Sequence, residues 1–494
     1  ANVYEIAHTV ETDIRAAEWP GLWVDDERMT HVASVAACDA TPGTFHVLSP
    51  SNQSATTIYV HPPGSTNPTT DAKTYEATTR KAGLWFYATP YAEVENIHAR
   101  RNHCSYGAIC LGRYNKARGC RTSDGNTHNL FMRAYCEVED HLADGWYGNG
   151  SSGTTYIGFD TANAGDGAPE TDIWYRLKRC TARQTYQSRL PAVAITAISQ
   201  ASQAEVTAPG HGFANNEFIV ISGVSGMTEV NNRTFLVTNV ATDTFKLRQV
   251  NLDSGAPSYI NSTAYAAFVS GGEARLAPWM DGGAGSIGFY FHTDGSVEID
   301  NVEIEECEAF GCGVPFSGAN TKLMSLTNVS ARQFKTGVKT LADRTVFRGL
   351  EGNASFLNRP AIPGATLFTA DRADQVIEMD GISAVLNSTG TIRSTYPGTT
   401  LRFRRGKLTG FNVLFRGDAA DQTWDIQELT NVPNGKGYTV YHFTGGATNL
   451  TLKSDFNDFG GALDGSYDFI IDNVNLDTLD AYRIQTANDW NSKP

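Results

Sequence analysis

Short runs in which apolar and polar residues alternate with a period of two recur along most of this chain, the pattern of half-buried β-strands. In Val297-Glu298-Ile299-Asp300-Asn301-Val302-Glu303-Ile304-Glu305-Glu306-Cys307 the alternation runs up to Asn301 and resumes after it. That predicts two strands with a bend at Asn301. Similar words occur at Val94-Glu95-Asn96-Ile97-His98-Ala99, Leu326-Thr327-Asn328-Val329-Ser330-Ala331 and Ile471-Asp472-Asn473-Val474-Asn475-Leu476, with looser copies at Thr448–Leu452 and Leu177–Ala182. Asn301 and Asn328 lie 27 residues apart, and Asn449 and Asn473 lie 24 apart. A repeat of roughly 20–50 residues signals a solenoid or array, and Asn tolerates the left-handed backbone of a tight bend. The pattern predicts stacked coils of short strands, with the asparagines at one bend and their amides paired along the stack. Such a stack has open sheet edges at its ends, which need covering.

Taken in order, residues 1–80 read as a separate leader. Within it, Thr44–Leu48 and Thr57–His61 alternate and predict a hairpin closed by a polar loop, followed by the Pro-rich exit Pro62–Pro68. Coil texture occupies 81–191. Residues 192–276 carry no Asn word and no coil spacing and read as an insert. Coils resume over 277–400, and 401–494 reads as further coils or a C-terminal β-sandwich, because Asn412, Asn431 and Asn449 are only 19 and 18 residues apart.

The Asn words resemble those of right-handed parallel β-helix proteins, and the leader hairpin is similar to one that precedes the first coils of many of them. The insert, through Gly210-His211-Gly212-Phe213 and Asn231-Asn232-Arg233-Thr234-Phe235, resembles a small β-barrel module related to the first catalytic-cysteine half-domain of ubiquitin-activating enzymes. Copies of that module are common in phage structural proteins. The segment contains no cysteine, so the resemblance implies a virion context and not ubiquitin chemistry. The expected fold is all-β: a right-handed parallel β-helix with an inserted small β-barrel.

Composition narrows the function. The 494 residues are 41% hydrophobic and 19% charged, with 47 glycines, as suits a turn-rich all-β chain with a true core. A formal charge of −14 argues against nucleic acid or anionic membranes as partners, and no apolar run approaches the ~20 residues of a membrane span. Ala1 fits a processed chain or a piece of a longer product. No Cys-x-x-Cys pair or metal-binding His spacing occurs, so the cysteines are expected as free core thiols, with no metal and no cofactor.

The richest polar cluster is Glu137-Val138-Glu139-Asp140-His141-Leu142-Ala143-Asp144-Gly145-Trp146-Tyr147. Alternation puts Glu137 and Glu139 on one face about 7 Å apart, two strand rises. Paired carboxyl groups ~5–5.5 Å apart serve retaining glycosidases and ~6.5–9.5 Å inverting ones. Glu137, Glu139, Asp140 and Asp144 are therefore candidate catalytic residues, and His141, Trp146, Tyr147, Trp174 and Tyr175 candidate ligand contacts; Trp85 is either an exposed aromatic or core. Glu303 and Glu305 share a face and offer a second acidic site if neighbouring coils stack acids over them.

These observations, with the resemblance, imply a virion-surface spike or fibre protein, extracellular and homotrimeric, that meets other virion proteins and binds host-surface polysaccharide. Two other readings stand beside it: a depolymerase, hydrolase or lyase, working through the paired carboxylates, and a decoration protein that touches no glycan.

Overall fold

The computed structural model describes residues 3–8, 21–48 without 26 and 33, 56–77, 82–146 without 102–106 and 126–127, 156–161, 171–183, 192–276 without 216, 232 and 251–256, 286–353 without 294–296, 333 and 335, 366–432 without 386–391 and 410–412, 439–443, 450–455, 469–471 and 474–476. Three parallel ladders, here sheets A, B and C, wall a β-helix. One coil comprises Ile109–Leu111 on A, Lys116–Arg118 on B and Arg121–Gly125 on C. The next is His128–Met132, Cys136–Glu139 and Leu142–Trp146, and the one after it Tyr156–Thr161, Trp174–Lys178 and Thr181–Arg183. Each strand pairs in parallel with its counterparts one coil before and after.

A six-residue frame recurs at the B–C corners: an inward apolar residue, an outward polar one, a residue at positive φ, an inward residue, an outward polar one and an inward one that is small in most of the described coils. Leu326–Ala331 fits it throughout and Val94–Ala99 fits it except that Ile97 is 40% exposed; Asn96 and Asn328 have φ 58° and 50°. Gly119, Asp140, Arg179, Gly349, Gly381, Arg405 and Glu428 hold the same corner in other coils, all at positive φ. The asparagine ladder expected from sequence does not form. A Cβ on Gly119 would sit 2.6 Å from Asn96 Oδ1, and one on Gly349 2.7 Å from Asn328 Oδ1, so the side chain above an asparagine is a hydrogen atom. Asn301 is likewise not at the corner: it lies within the strand Ile299–Glu305, paired with Trp174 and Leu323. The in-frame word in that stretch is Ile304-Glu305-Glu306-Cys307-Glu308-Ala309, and Glu306, φ 53°, makes the bend. The last copy also differs, since Phe469–Ile471 and Val474–Leu476 pair antiparallel as a hairpin.

From Thr321 onward the B and C strands fuse into continuous ones, Thr321–Arg332, Arg344–Asn353, Val376–Val385, Thr400–Thr409 and Thr423–Val432, so the ladders run on past residue 401. The core is a set of inward columns. On sheet A, Phe159, Phe289 and Phe316 stack face to face with centroids 4.5 and 5.1 Å apart, while sheet C contributes the buried Ala143, Ala182, Ala309 and Ala331. Large residues on one wall stand beside small ones on another, the alternation that lets a core pack closely. Cys120, Cys180 and Cys307 are inward and, like the other described cysteines, buried and free.

Tyr156–Thr161 pairs with Ser286–Phe291, and Trp174–Lys178 with Ile299–Glu305, so the stack continues directly across the insert. The insert is an eight-stranded antiparallel sheet around its own core. Its two path ends, Val193–Ala194 and Ala197–Ile198, are successive pieces of one segment; the first pairs with Ser270–Leu276 and the second with Glu205–Thr207. That segment closes the sheet into a small barrel. His211 is buried, its Nε2 3.0 Å from Ala241 O and its Nδ1 accepting from the Phe213 amide, and Asn231 bonds both backbone groups of Val224. His211 and Asn231, two of the residues that carry the sequence resemblance, thus tie loop backbone to the barrel. In the leader, Thr44–Leu48 and Thr56–His61 pair antiparallel as a hairpin.

Candidate functional site

On the outer face of sheet B, five successive coils each present two like charges, and the next of them presents the opposite pair. Glu93 and Glu95 are followed by Lys116 and Arg118, then Glu137 and Glu139, Arg176 and Lys178, and Glu303 and Glu305. Lys116 Nζ lies 2.9 Å from Glu137, Arg118 Nε 3.0 Å from Glu139, Arg176 Nε 3.0 Å from Glu303 and Lys178 Nζ 3.0 Å from Glu305. Coils sit ~4.8 Å apart while the like charges within a strand are ~7 Å apart, so attraction acts over the shorter distance. The rows border a shallow open groove of about 340 Å³.

This geometry decides what the predicted carboxylates can do. Glu137 and Glu139 face outward together, as alternation predicts. Hydrogen bonds first from Arg179 and then from Arg118 hold the Glu139 carboxyl below its usual range, and Arg179 does the same to Asp140. An acid so stabilised in its ionised form is a poor proton donor. Asp144 is on sheet C, nearly buried, and takes Arg121 at 2.7 Å and Arg183 at 2.8 and 3.0 Å. The four carboxylates are parts of an ion-pair lattice. The acid-over-acid stacking considered for Glu303 and Glu305 does not occur, because Arg176 and Lys178 lie over them.

Two candidate ligand contacts are corrected. His141 takes the first inward position after the bend, in the same column as Cys120 and Cys180. It is 1% exposed, its Nε2 is 3.0 Å from the Thr122 hydroxyl and its ring stands edge-on to Phe159. Burial pushes its pKa down to about 3, so it is a neutral core residue. Tyr175 alternates with Trp174 and points inward, fully buried beside Phe291. Trp174 faces outward. Trp146 ends the sheet C strand Leu142–Trp146, its side chain lying outside the described residues, as does Tyr147.

Trp174 is the end of a feature that sequence reasoning missed. Tyr91, Tyr114 and Tyr135 stand two residues before Glu93, Lys116 and Glu137, and stack with centroids 5.0 and 4.4 Å apart; Trp174 meets Tyr135 edge-on at 6.0 Å. All three tyrosines have positive φ, 61°, 57° and 65°, a conformation costing a bulky residue about 1–2 kcal/mol, partly offset by ring stacking worth about 0.5–1.5 kcal/mol per pair. Tyr91 and Tyr114 are nevertheless 73% and 39% exposed, so this strain does not serve the core. Arg176 lies 4.7 Å over the Trp174 ring and joins the stack to the charged rows. The signal was in the spacing, since 91, 114 and 135 advance by the same 23 and 21 residues as the charged positions.

Sheet A carries a different outer column. Trp85, Cys110, Phe131, Asp160 and Tyr290 occupy one register. Trp85 is 39% exposed and stacks on Tyr87, which in turn stacks on Phe131. Asp160 is 2% exposed and paired to imidazoles, with His292 Nε2 at 3.1 Å and His128 Nδ1 at 3.6 Å.

Comparison with known proteins adds a structural likeness. No family model matches the chain, and no curated protein matches it. It is similar to a solved structure titled as the Gp54 tailspike of Acinetobacter baumannii bacteriophage AP22 in complex with A. baumannii capsular saccharide. That likeness has 7% identity over 72% of this chain and 68% of that one, with a TM-score of 0.18. An overlap this loose carries no inference about chemistry; the β-helix rests on the strand registers above. No helix among the described residues is long and apolar enough to cross a membrane.

Proposed function

We propose that this chain is a polysaccharide-binding β-helix that docks an extended glycan along sheet B. The observation that carries this reading is the Tyr91–Tyr114–Tyr135–Trp174 stack beside the charged groove, exposed at Tyr91 and Tyr114 and half-buried at Tyr135 and Trp174. A solenoid repeats a binding surface at each coil; the stacked tyrosines turn ring edges outward at coil intervals, and Tyr91, 73% exposed at the end of the stack, adds ring surface against which the C–H groups of a sugar can pack. The groove supplies both donors and acceptors for hydroxyl, amide or carboxyl substituents.

The wider setting belongs to the same proposal. The barrel module's resemblance to phage structural modules supports a virion-surface spike that attaches to host polysaccharide, as a homotrimer among other virion proteins. The lattice of arginines around Glu137, Glu139, Asp140 and Asp144 favours binding over hydrolysis at this face.

Titration of the protein with host capsular polysaccharide by calorimetry tests the reading. Tyr114→Ala is expected to weaken binding about tenfold, the effect of losing roughly 1.4 kcal/mol, while Tyr114→Phe retains it. Equal affinity for the wild type and Tyr114→Ala removes the stack from the site, and absence of binding to any glycan leaves the decoration reading.

A further inference from the structure

The charge rows of sheet B are not a requirement of stacking. The coils that follow them put Ser325 and Thr327, then Val346 and Arg348, at the same outward positions, and Thr321–Arg332 still pairs with Arg344–Asn353 over nearly its whole length. Alternation resumes farther on, with Arg402 Nη1 2.8 Å from Glu378 and Arg404 Nη2 2.6 Å from Asp425. No ring stack runs beside that second stretch, because the register that holds Trp174 passes on to Asn301, Leu323, Arg344, Val376 and Thr400. Among the described residues, charge rows and stacked rings therefore coincide only in the block that runs from Glu93 to Glu305.

This block has a definite period. Coils advance by ~4.8 Å and the sign of the row changes at every coil, so like rows recur at roughly 9.6 Å. A pyranose in an extended chain spans close to one coil spacing. Successive sugars of such a chain turn over, so groups on every second sugar project to the same side. A glycan lying along the stack thus meets the same sign of charge at every second sugar. The basic rows are accessible, since the side chains of Lys116, Arg118, Arg176 and Lys178 are between 40% and 61% exposed. Exposed pairs hold each other weakly, so these N–H groups can turn to a ligand carboxylate at little loss. Six carboxylates against four cations leave the block two charges negative. A chain ionised at every sugar would therefore lose at the acidic rows what it gains at the basic ones.

We infer that sheet B selects a polysaccharide with a two-sugar repeat, carrying a carboxylate on one sugar and an amide or amine N–H donor on the next. The carboxylates lie over the basic rows Lys116–Arg118 and Arg176–Lys178 and accept charge-assisted hydrogen bonds there. The N–H groups lie over the acidic row between them and donate to Glu137 and Glu139. A slip of one coil puts every carboxylate over an acidic row, so the lattice rejects the wrong register as well as the wrong repeat. The five rows accommodate about five sugars.

This inference rests on the glycan-docking reading and adds the repeat chemistry to it. Calorimetry on the full chain compares three oligosaccharides of equal length. Hyaluronan alternates uronate with N-acetylhexosamine, oligogalacturonate carries a carboxylate on every sugar, and chito-oligosaccharide carries an acetamide on every sugar and no carboxylate. Hyaluronan is expected to bind about tenfold tighter than either, with affinity rising up to about six sugars and then levelling. High salt should narrow its lead, because screening reaches inside the contact distances. Lys116→Gln combined with Arg118→Gln should weaken hyaluronan binding at least five times more than chito-oligosaccharide binding, with unchanged circular dichroism. Equal affinity for hyaluronan and either of the other two overturns the inference, and so does an equal loss of both ligands in the double variant. Binding of host capsular polysaccharide that Tyr114→Ala weakens, without binding of hyaluronan, overturns the repeat chemistry alone and leaves the docking reading standing. Binding of no glycan removes the docking reading and the inference with it.

Discussion

On sheet B, Glu137 and Glu139 meet Lys116, Arg118, Arg176 and Arg179, whereas on sheet A, beside the same coils, Asp160 lies between His128 and His292. Both arrangements satisfy carboxylates, but guanidinium and ammonium groups stay charged across the working pH range and lock their partners ionised. Imidazoles can give and take protons there. Sheet B therefore keeps its carboxylates paired to permanent cations, whereas sheet A pairs a buried carboxylate with groups that can exchange protons.

Mutations beneath and on the two faces probe this contrast. The largest effect is expected below sheet A, where Phe289→Ala opens a cavity between Phe159 and Phe316 and should cost about 3–5 kcal/mol; below sheet B, Ile304→Val should cost about 0.5–1.5 kcal/mol. Denaturant midpoints at constant slope measure both. A smaller but pH-specific effect should come from His141, under sheet C. Its folded pKa of about 3 lies below the ordinary histidine value of about 6.5, so the unfolded chain binds the proton first. Its contribution is complete above about pH 6.5 and is lost as pH falls towards 3, an order of a few kcal/mol over the window. His141→Cys, which copies Cys120 and Cys180 in the same column, should flatten that part of the stability–pH curve relative to wild type. An unchanged slope places the acid sensitivity elsewhere.

Next in size, Asp160→Ala should destabilise by about 1–3 kcal/mol, since it strands buried donors. Glu303→Ala on sheet B should change stability by less than about 1 kcal/mol, the usual worth of an exposed pair. Equal losses at the two positions break the contrast. The smallest effect is electrostatic: Glu137→Lys places three like charges in a row with Lys116 and Arg176, costing about 1 kcal/mol or less. High salt should restore it, because screening shortens to ~3 Å at 1 M.

Part of this is legible in the chain and part is not. The six-residue corner frame can be read directly at Val94–Ala99, Leu177–Ala182 and Leu326–Ala331, because inward apolar and outward polar positions must alternate wherever one wall is core. Near Asn301 the reading slips by five residues. Ile299-Asp300-Asn301-Val302 imitates the frame, and only pairing with Trp174 and Leu323 shows which turn is the bend. His141 and Tyr175 read as ligand contacts because both residue types also serve surfaces; the column each enters decides that they are core. Tyr91, Tyr114 and Tyr135 were readable from their spacing once the charged positions two residues later gave the coil period.

The sequence by itself determined that the chain is an all-β solenoid interrupted by a separate module, since alternation, repeat length and the change of texture after residue 191 are local properties. It also determined that Glu137 and Glu139 share a face. Only the tertiary structure decided what stands one coil above and below them. Stacking register joins residues distant in sequence, most of all across the insert, where Asp160 meets His292 and Tyr290. A strand's own pattern specifies which side of the wall each residue faces, but a carboxylate's chemistry is set by its neighbour on the next coil, and that neighbour is chosen by the fold.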